Sequence, residues 1–361
     1  MKIGFVIYGS LDTLSGGYLY DRKLVEYLRT QGDTVEIISL PWRNYAAHLA
    51  DNFWFRPWKT RQRAVGRQMF DILIQDELNH PSLIAANREK HPYPIISLVH
   101  HLRCSELRPK WQNNLYRVVE KKYLQSVDGF IFNSQTTKGV MNSLIGNSKP
   151  SVVAYPPTDR FGDAISENEI IERAKCDELK ILFLGNIIER KGLRTLLEAV
   201  KGQKSKARVD AIGSLTTDPK YAKRMQEFVT VNGLSSTVSF HSSLDNEPLK
   251  QKLRQAHMLI VPSSYEGFGI VYLEGMAFGL PAIGTTAGAA GEIIEHEKTG
   301  YLIEPNDSAT LAAHISQLAS DRNLLTELSL NARKRYIQQP AWNETAGQIR
   351  AFLQSMIAPK D

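Results

Sequence analysis

Two glutamates lie in a glycine-rich part of the chain, with seven residues between Glu266 and Glu274. Glu266 follows an apolar run that ends at Val261, so we expect it in the loop after a strand, with Glu274 in the next helix. The glycines of residues 267–269 let the backbone approach a ligand closely, and amides at a helix start favour a negatively charged group. A lone loop glutamate is more often a solvated charge or a helix cap. A carboxylate beside anion-binding amides nevertheless suits a ligand that carries hydroxyls and phosphates.

Short β-branched runs alternate with helical stretches through the first half of the chain. This alternation predicts a parallel sheet with crossover helices. The predicted strands are Ile3–Tyr8, Val35–Ile38, Asp71–Ile74, Ile95–Val99, Gly129–Phe132 and Ser151–Val153. The pattern stops at a proline pair, Pro156 and Pro157, and an acidic stretch, predicted to be an irregular linker, continues to Glu178.

A second series of six strands begins after this stretch. Its predicted members are Lys180–Leu184, Val209–Ile212, Val238–Phe240, Met258–Val261, Pro281–Gly284 and Gly300–Ile303. The two series predict two doubly wound, Rossmann-like domains, 1–158 and 159–340, that face each other across a cleft. A last helical segment, within 341–361, is expected to return to the N-terminal domain.

The stretch from Val261 to Asp307 closely resembles the signature of the retaining glycosyltransferases of family 4. Besides the two glutamates it contains Thr-Thr-Ala-Gly-Ala-Ala-Gly-Glu at 285–292 and Lys-Thr-Gly-Tyr-Leu-Ile-Glu-Pro at 298–305. That family has the GT-B fold and transfers a sugar from a nucleoside diphosphate sugar with retention of configuration. The resemblance therefore implies an N-terminal domain that binds the acceptor and a C-terminal domain that binds the donor.

The resemblance also implies roles for individual residues. Glu266 would bind hydroxyls of the transferred sugar and is one predicted catalytic residue, whereas Glu274 would bind the ribose hydroxyls. Arg190 and Lys191 would neutralise the charge that grows on the leaving nucleoside diphosphate. The full predicted donor-binding set is Gly16, Gly17, Arg190, Lys191, Gly267, Phe268, Gly269 and Glu274. A plain turn is the alternative interpretation of the Gly16-Gly17 pair.

The motif leaves two assignments open, the second cation of the donor site and the active-site histidine. The family commonly has an arginine where this chain has Asn186, so the usual pair of cations is complete only if Arg190 replaces it. His100 and His101 follow the fourth predicted strand, where the family places an active-site histidine that contacts the transferred sugar. His100 continues the strand alignment and is predicted to be catalytic. Two solvent-facing loop histidines are the alternative, and the spacing leaves open which ring points inward.

Positive charge is concentrated in the first half of the chain. The first 155 residues hold 20 Lys and Arg against 13 Asp and Glu. No helix-turn-helix, zinc or aromatic-platform signature supports nucleic-acid binding, so an acidic ligand or an anionic surface fits better. Aromatic and basic side chains interleave between residues 42 and 67 and could contact an anionic membrane, or the aromatics could pack beneath the domain. The residues named for that contact are Trp42, Trp54, Arg56, Trp58, Lys59, Arg61 and Arg63.

The resemblance, together with these site residues, implies a retaining, metal-independent hexosyltransferase without a cofactor. Its partners would be a nucleoside diphosphate sugar and a carbohydrate or lipid-linked acceptor, as in polysaccharide or glycolipid synthesis. No Asp-x-Asp motif suggests a metal, and no Gly-x-Gly-x-x-Gly follows either opening strand, which argues against an oxidoreductase. A nucleotide-sugar epimerase and a non-catalytic sugar-nucleotide binder remain alternatives. The N-terminus lacks a secretory pattern, so we expect a cytoplasmic protein, peripheral at the inner membrane face.

Overall fold

The structure is a computed structural model of the 361-residue chain. It describes residues 1–13, 15–54, 70–157, 159–162, 164–202 and 207–358. Within these residues the chain divides into two compact units, one made of Met1–Pro157 with Pro340–Asp361 and the other of Thr158–Gln339.

The first unit contains a six-stranded parallel sheet with the strand order β2-β1-β3-β4-β5-β6. Its strands are β1 (Lys2–Tyr8), β2 (Thr34–Leu40), β3 (Ile72–Asp76), β4 (Ile95–Val99), β5 (Gly129–Phe132) and β6 (Ser151–Val153). Strands β3, β4 and β5 are buried along their whole length, as expected where helices cover both faces of a parallel sheet. The alternation within β1 divides the core between the two faces, with Phe5 and Ile7 in one apolar cluster and Val6 and Tyr8 in the other.

Within the part of the chain that the structure describes, six helices pack around this sheet. They are α1 (Gly16–Thr30), α2 (Tyr45–Trp54), α3 (His80–Asn87), α4 (Lys110–Leu124), α5 (Gln135–Ile145) and α13 (Trp342–Ile357), the last of them from the C-terminal end of the chain. Helix α13 buries Ala346, Ile349 and Leu353 in the apolar cluster that also contains Leu24 of α1. Arg350 adds an ion pair of 2.7 Å with Asp33. The last helix is therefore part of the first unit.

The second unit contains another six-stranded parallel sheet, in the order β12-β11-β10-β7-β8-β9. Its strands are β7 (Leu179–Leu184), β8 (Ala207–Ile212), β9 (Val238–His241), β10 (Met258–Ile260), β11 (Ala282–Thr285) and β12 (Gly300–Ile303). Its helices are α6 (Glu167–Ala174), α7 (Leu193–Lys201), α8 (Pro219–Val231), α9 (Asn246–Gln255), α10 (Ile270–Met276), α11 (Ser308–Ser320) and α12 (Arg322–Ile337). The prediction of two doubly wound domains is confirmed.

The prediction of an irregular stretch up to Glu178 is wrong, because helix α6 lies within it. Ser166 is the N-cap, its hydroxyl accepts a hydrogen bond from the amide of Glu169, and the Glu169 carboxylate accepts from the amide of Ser166. This capping box is visible in the sequence as Ser-x-x-Glu. The helix then buries Ile170 and Ala174. Among the described residues, no helix has the length and apolar character that a bilayer span requires.

Candidate functional site

Three loops meet at the carboxyl edge of the second sheet. Strand β10 lies between β7 and β11, and all three strands are parallel. The segments that follow them therefore emerge side by side at one edge. The loop after β7 carries Arg190 and Lys191, and the loop after β10 carries Gly267, Phe268 and Gly269, at least 76 positions further along the chain.

Backbone hydrogen bonds hold these three loops together. The amide of Ser264 donates to the carbonyl of Arg190 over 2.8 Å, which joins the loop after β10 to the loop after β7. The amide of Glu266 donates to Ala287 over 3.3 Å, and the amide of Ala289 donates to Glu266 over 2.8 Å. Main-chain contacts on both sides therefore determine the position of Glu266.

Two glycines permit the close approach of these loops. Gly192 has a φ of 72°, and a Cβ built on it would lie 2.0 Å from the carbonyl oxygen of Pro262. Gly288 has a φ of 87°, and its Cβ would lie 2.1 Å from the carbonyl oxygen of Glu266. Both the left-handed backbone and the missing side chain are needed at these positions.

The side chain of Glu266 is the centre of a buried polar cluster. Its Oε1 accepts from Lys191 Nζ over 2.5 Å and from the Ser263 hydroxyl over 2.6 Å. Its Oε2 lies 3.8 Å from Arg190 Nη1, and the same guanidinium nitrogen donates to the Tyr265 carbonyl over 2.7 Å. The structure therefore brings together three predicted site residues, with Glu266 between the two cations.

These contacts determine the ionisation of Glu266. Burial by itself would raise its pKa, but Lys191 and Arg190, together with the hydrogen bonds from Lys191 and Ser263, lower the pKa to about 2. Burial and the neighbouring Arg190 lower the pKa of Lys191, and the attraction of Glu266 offsets part of that effect. At neutral pH Glu266 is therefore a carboxylate that cannot donate a proton.

Glu274 lies on α10 and is 5% exposed. Its Oε1 accepts from Arg160 Nη1 over 2.6 Å, and the Arg160 guanidinium also donates to Asn246 Oδ1 over 3.0 Å. Burial raises the pKa of Glu274, and the charge and hydrogen bond of Arg160 offset part of the rise. No sequence motif points to Arg160, because it lies 114 residues before its partner, in a stretch predicted to be irregular.

The segment between the two glutamates is compact. Phe268 is 4% exposed, and Gly269 is the N-cap of α10 with a φ of 93°. A Cβ on Gly269 would lie 2.5 Å from the ring of Tyr272. The hydroxyl of Tyr272 donates to the Val261 carbonyl over 2.8 Å, so this ring anchors the short helix to the end of β10.

His100 occupies a separate buried position in the first unit. Its Nε2 lies 3.0 Å from Oδ1 of Asp21 on α1, and Asn133 donates to its carbonyl oxygen over 2.8 Å. The Tyr20 ring meets the imidazole edge-on, with ring centroids 5.5 Å apart. A Cβ on Gly17 would lie 3.3 Å from His100 Cδ2, so Gly17 and the predicted catalytic histidine are neighbours.

His101 and two acidic side chains lie close to His100. His101 is less buried and lies 3.2 Å from Glu106 Oε1, so the more enclosed ring of the pair is that of His100. Asp76, at the end of β3, offers an oxygen within 4.8 Å of ligand atoms on Asp21 and His100. Oδ2 of Asp21 and Oδ2 of Asp76 are buried, and no described residue donates a hydrogen bond to either atom.

The ionisation of this cluster follows from its burial. Burial raises the pKa of Asp76, and the nearby Asp21 carboxylate raises it further. Burial would lower the pKa of His100, but the charge and hydrogen bond of Asp21 outweigh it and raise that pKa. Asp76 and His100 therefore each retain a proton to a higher pH than the free side chain would. Asp21 and Asp76 could not be predicted from the sequence, since neither belongs to a motif.

The aromatic and basic segment can be followed only in part. Trp42 is about half exposed, and its ring centroid lies 5.2 Å from that of the buried Tyr8. Arg43 forms an ion pair with Asp51 of α2. Five residues named for the membrane contact lie outside the described residues, namely Arg56, Trp58, Lys59, Arg61 and Arg63. That contact stays a prediction.

Comparison with solved structures identifies the fold class. Sucrose-phosphate synthase from Thermosynechococcus elongatus superposes with a TM-score of 0.81 at 20% identity, covering 98% of each chain. HepE from Anabaena, solved in complex with UDP-glucose, superposes with a TM-score of 0.74 at 19% identity, over 98% of this chain and all of that one. Together with the two Rossmann-like units, these likenesses define the protein as one with the GT-B fold.

The sequence comparisons then identify the family of the second unit. Residues 165–335 match the family model described as glycosyl transferases group 1, and this region of the chain belongs to that family. An uncharacterized glycosyltransferase of Methanocaldococcus jannaschii is 30% identical over 48% of each chain. The chain spans about half the length of the curated relatives it matches.

Proposed function

We propose that the protein is a glycosyltransferase that moves a sugar from a nucleoside diphosphate sugar to a carbohydrate or lipid-linked acceptor. The group 1 family match of residues 165–335 supports the reaction class. HepE, which shares the fold, was solved with UDP-glucose, and that complex supports the donor class. Retention of configuration, independence of metal ions and hexosyl transfer are parts of the same proposal, taken from the family resemblance.

One observation carries the proposal: the buried contact of Glu266 with Lys191 and Arg190 at the carboxyl edge of the second sheet. A sugar diphosphate has hydroxyls that need acceptors and phosphates that need cations. Glu266, ionised at neutral pH, can accept from the hydroxyls, and the two cations can bind the phosphates. A substrate without both kinds of group would use only part of this cluster.

The proposed chemistry needs few reacting groups. The bond between the anomeric carbon and the phosphate oxygen breaks, and negative charge grows on the leaving diphosphate. Lys191 and Arg190 would stabilise this charge more strongly than that of the intact donor, which lowers the barrier. The acceptor hydroxyl then attacks from the face that the diphosphate leaves and gives its proton to the departing phosphate oxygen, so the configuration at the anomeric carbon is kept.

Arg190 would also serve as the second cation that the motif lacks at Asn186. Its guanidinium is anchored by the Tyr265 carbonyl and lies near Glu266, beside Lys191. Glu274 would accept hydrogen bonds from the ribose, oriented by Arg160. For His100 we keep the prediction that follows from the resemblance, contact with the transferred sugar.

The test is a donor screen with matched site variants. Thermal shift against a panel of nucleoside diphosphate sugars identifies the donor, because a ligand of the folded state raises Tm. Release of nucleoside diphosphate is then measured with and without carbohydrate and lipid-linked acceptors, for the wild type and Glu266→Gln. We expect acceptor-dependent release that Glu266→Gln abolishes. Epimerised donor without acceptor, or unchanged turnover of the variant, would contradict the proposal.

A further inference from the structure

Helix α4 of the first unit has two apolar faces. The inner face buries Val119, Tyr123 and Leu124 against the core. A second stripe, which we call the outer face, consists of Trp111, Leu115 and Val118, whose spacings of four and three place them on one side of the helix. A surface helix of a soluble domain needs only the inner face to pack.

The outer face is exposed to a degree that is unusual in this chain. Trp111 is 68% exposed, Leu115 55% and Val118 53%. Nine large hydrophobic side chains are exposed among the described residues, and four of them lie between Leu107 and Val118. Single exposed apolar residues are ordinary, but a cluster of this kind marks a site of contact.

Positive charge lies beside the outer face. Four exposed cations lie on the same helix, namely Lys110, Arg117, Lys121 and Lys122. The one acidic residue of α4, Glu120, is fully buried and accepts hydrogen bonds from the amides of Arg103 and Cys104. The exposed surface of the helix therefore has four positive charges and no negative charge.

We propose that the outer face of α4 docks the protein onto an anionic lipid surface. The helix lies flat, with Trp111, Leu115 and Val118 at the boundary between headgroups and acyl chains. The cations contact lipid phosphates, each adding to the attraction. Trp111 suits the interface because its ring is apolar and its indole N–H can reach the headgroups.

The charges favour a membrane over a second copy of the chain. In a two-fold dimer the same face meets itself, so the four cations of one helix would approach those of the other without intervening carboxylates. An anionic bilayer instead supplies the opposite charge. This docking surface does not depend on the donor chemistry proposed above, and it is distinct from the segment at 42–67.

Cosedimentation of the full chain with lipid vesicles tests the proposal. The vesicles are phosphatidylcholine alone or mixed with phosphatidylglycerol, each at low and high salt. Two double variants remove one component each, Trp111→Ser/Leu115→Ser the apolar stripe and Lys121→Glu/Lys122→Glu the charge. We expect the wild type to bind the anionic vesicles at low salt. Each double variant should bind them with an affinity lower by at least about tenfold. Salt should weaken wild-type binding.

Matched controls come from the second unit. Val231→Ser changes another exposed apolar residue, 83% exposed on α8, and Lys220→Glu/Lys334→Glu reverses two exposed lysines elsewhere. All substituted residues are exposed, so circular dichroism and Tm should match the wild type. The proposal is overturned if anionic vesicles do not sediment the wild type, or if α4 variants and controls bind alike. It is also overturned if sedimentation velocity detects a dimer that Trp111→Ser/Leu115→Ser dissociates.

Discussion

The ammonium of Lys191 lies 2.5 Å from Oε1 of Glu266. The cation predicted for the phosphates and the carboxylate predicted for the sugar therefore neutralise each other in this structure. A diphosphate that binds Lys191 would replace one anionic partner with another. Glu266 would then be free to accept hydrogen bonds from sugar hydroxyls. Binding of the diphosphate to Lys191 would therefore release the carboxylate that binds the sugar, and binding of the sugar to Glu266 would release the ammonium that binds the diphosphate.

Lys191→Met should destabilise the second unit, because it leaves the buried Glu266 carboxylate without its nearest cation. Breaking one side of a buried ion pair costs about 3–5 kcal/mol. Unfolding in denaturant measures the loss. The double variant Lys191→Met/Glu266→Gln should recover much of it, because the buried carboxylate is then gone, and the partly exposed Arg190 keeps its hydrogen bond to the Tyr265 carbonyl. If the single and double variants are equally unstable, the pair does not act as a unit.

Glu266→Gln should weaken binding of the sugar nucleotide but not of the free nucleoside diphosphate. A hydrogen bond to a charged group contributes about 1.5–3 kcal/mol, so we expect a loss of about tenfold to a hundredfold for the complete donor. Isothermal titration with both ligands measures the difference. Equal losses for both ligands would place Glu266 near the phosphates instead of the sugar.

Arg160→Ala should make nucleotide binding depend on pH. Arg160 holds down the pKa of the buried Glu274, so its removal raises that pKa further. Glu274 would then become protonated as the pH falls, at a higher pH than in the wild type, and lose one acceptor for the ribose. Kd for the nucleotide, measured from neutral to acidic pH, should rise earlier in Arg160→Ala.

Asn246→Ala is the control for this prediction. It removes the other hydrogen-bond partner of Arg160 and leaves the ion pair with Glu274 in place. Its pH profile should follow the wild type. A shift of similar size in both variants would mean that the position of the loop, and not the charge of Arg160, determines the effect.

Asp76→Asn should change how the stability of the first unit depends on pH. Burial raises the pKa of Asp76 in the folded state, with Asp21 of α1 adding to the rise and His100 opposing it. The folded state therefore binds the proton more tightly, and the free energy of unfolding falls as pH rises from about 4, the unfolded pKa of aspartate, through the folded pKa. The asparagine variant should lack this part of the decline.

The control is Glu26→Gln, which removes an exposed carboxyl from α1. The raised pKa of His100 acts in the same direction, since stability from its protonated form is lost as pH passes its folded pKa. Asp21 supports that contribution in both variants, but Asp76→Asn also removes the Asp76 charge that helps to raise the pKa of His100. The difference between wild type and Asp76→Asn therefore measures Asp76 together with its effect on His100. If the free energy of unfolding falls with pH in the same way for wild type and Asp76→Asn, the raised pKa of Asp76 is contradicted.

The sequence by itself determined the architecture. Short runs of three to six residues, rich in apolar side chains and separated by helical stretches, predicted twelve strands. Each strand lies within two residues of its prediction at either end, because the buried strands of a parallel sheet need mostly apolar sequence. The helix at Glu167–Ala174 was also readable, from the capping box of Ser166 and Glu169. Such signals can be predicted from the sequence because they depend on interactions between residues that are only a few positions apart.

Only the tertiary structure decided which charges face one another. Lys191 and Glu266 are 75 residues apart, His100 and Asp21 are 79 apart, and Arg160 and Glu274 are 114 apart. A motif predicts which side chain acts but not which partner it contacts, because the strand order of the sheet and the lengths of the loops determine which residues lie close together. The ionisation of a buried carboxylate depends on that partner, so it too is decided by the folded chain.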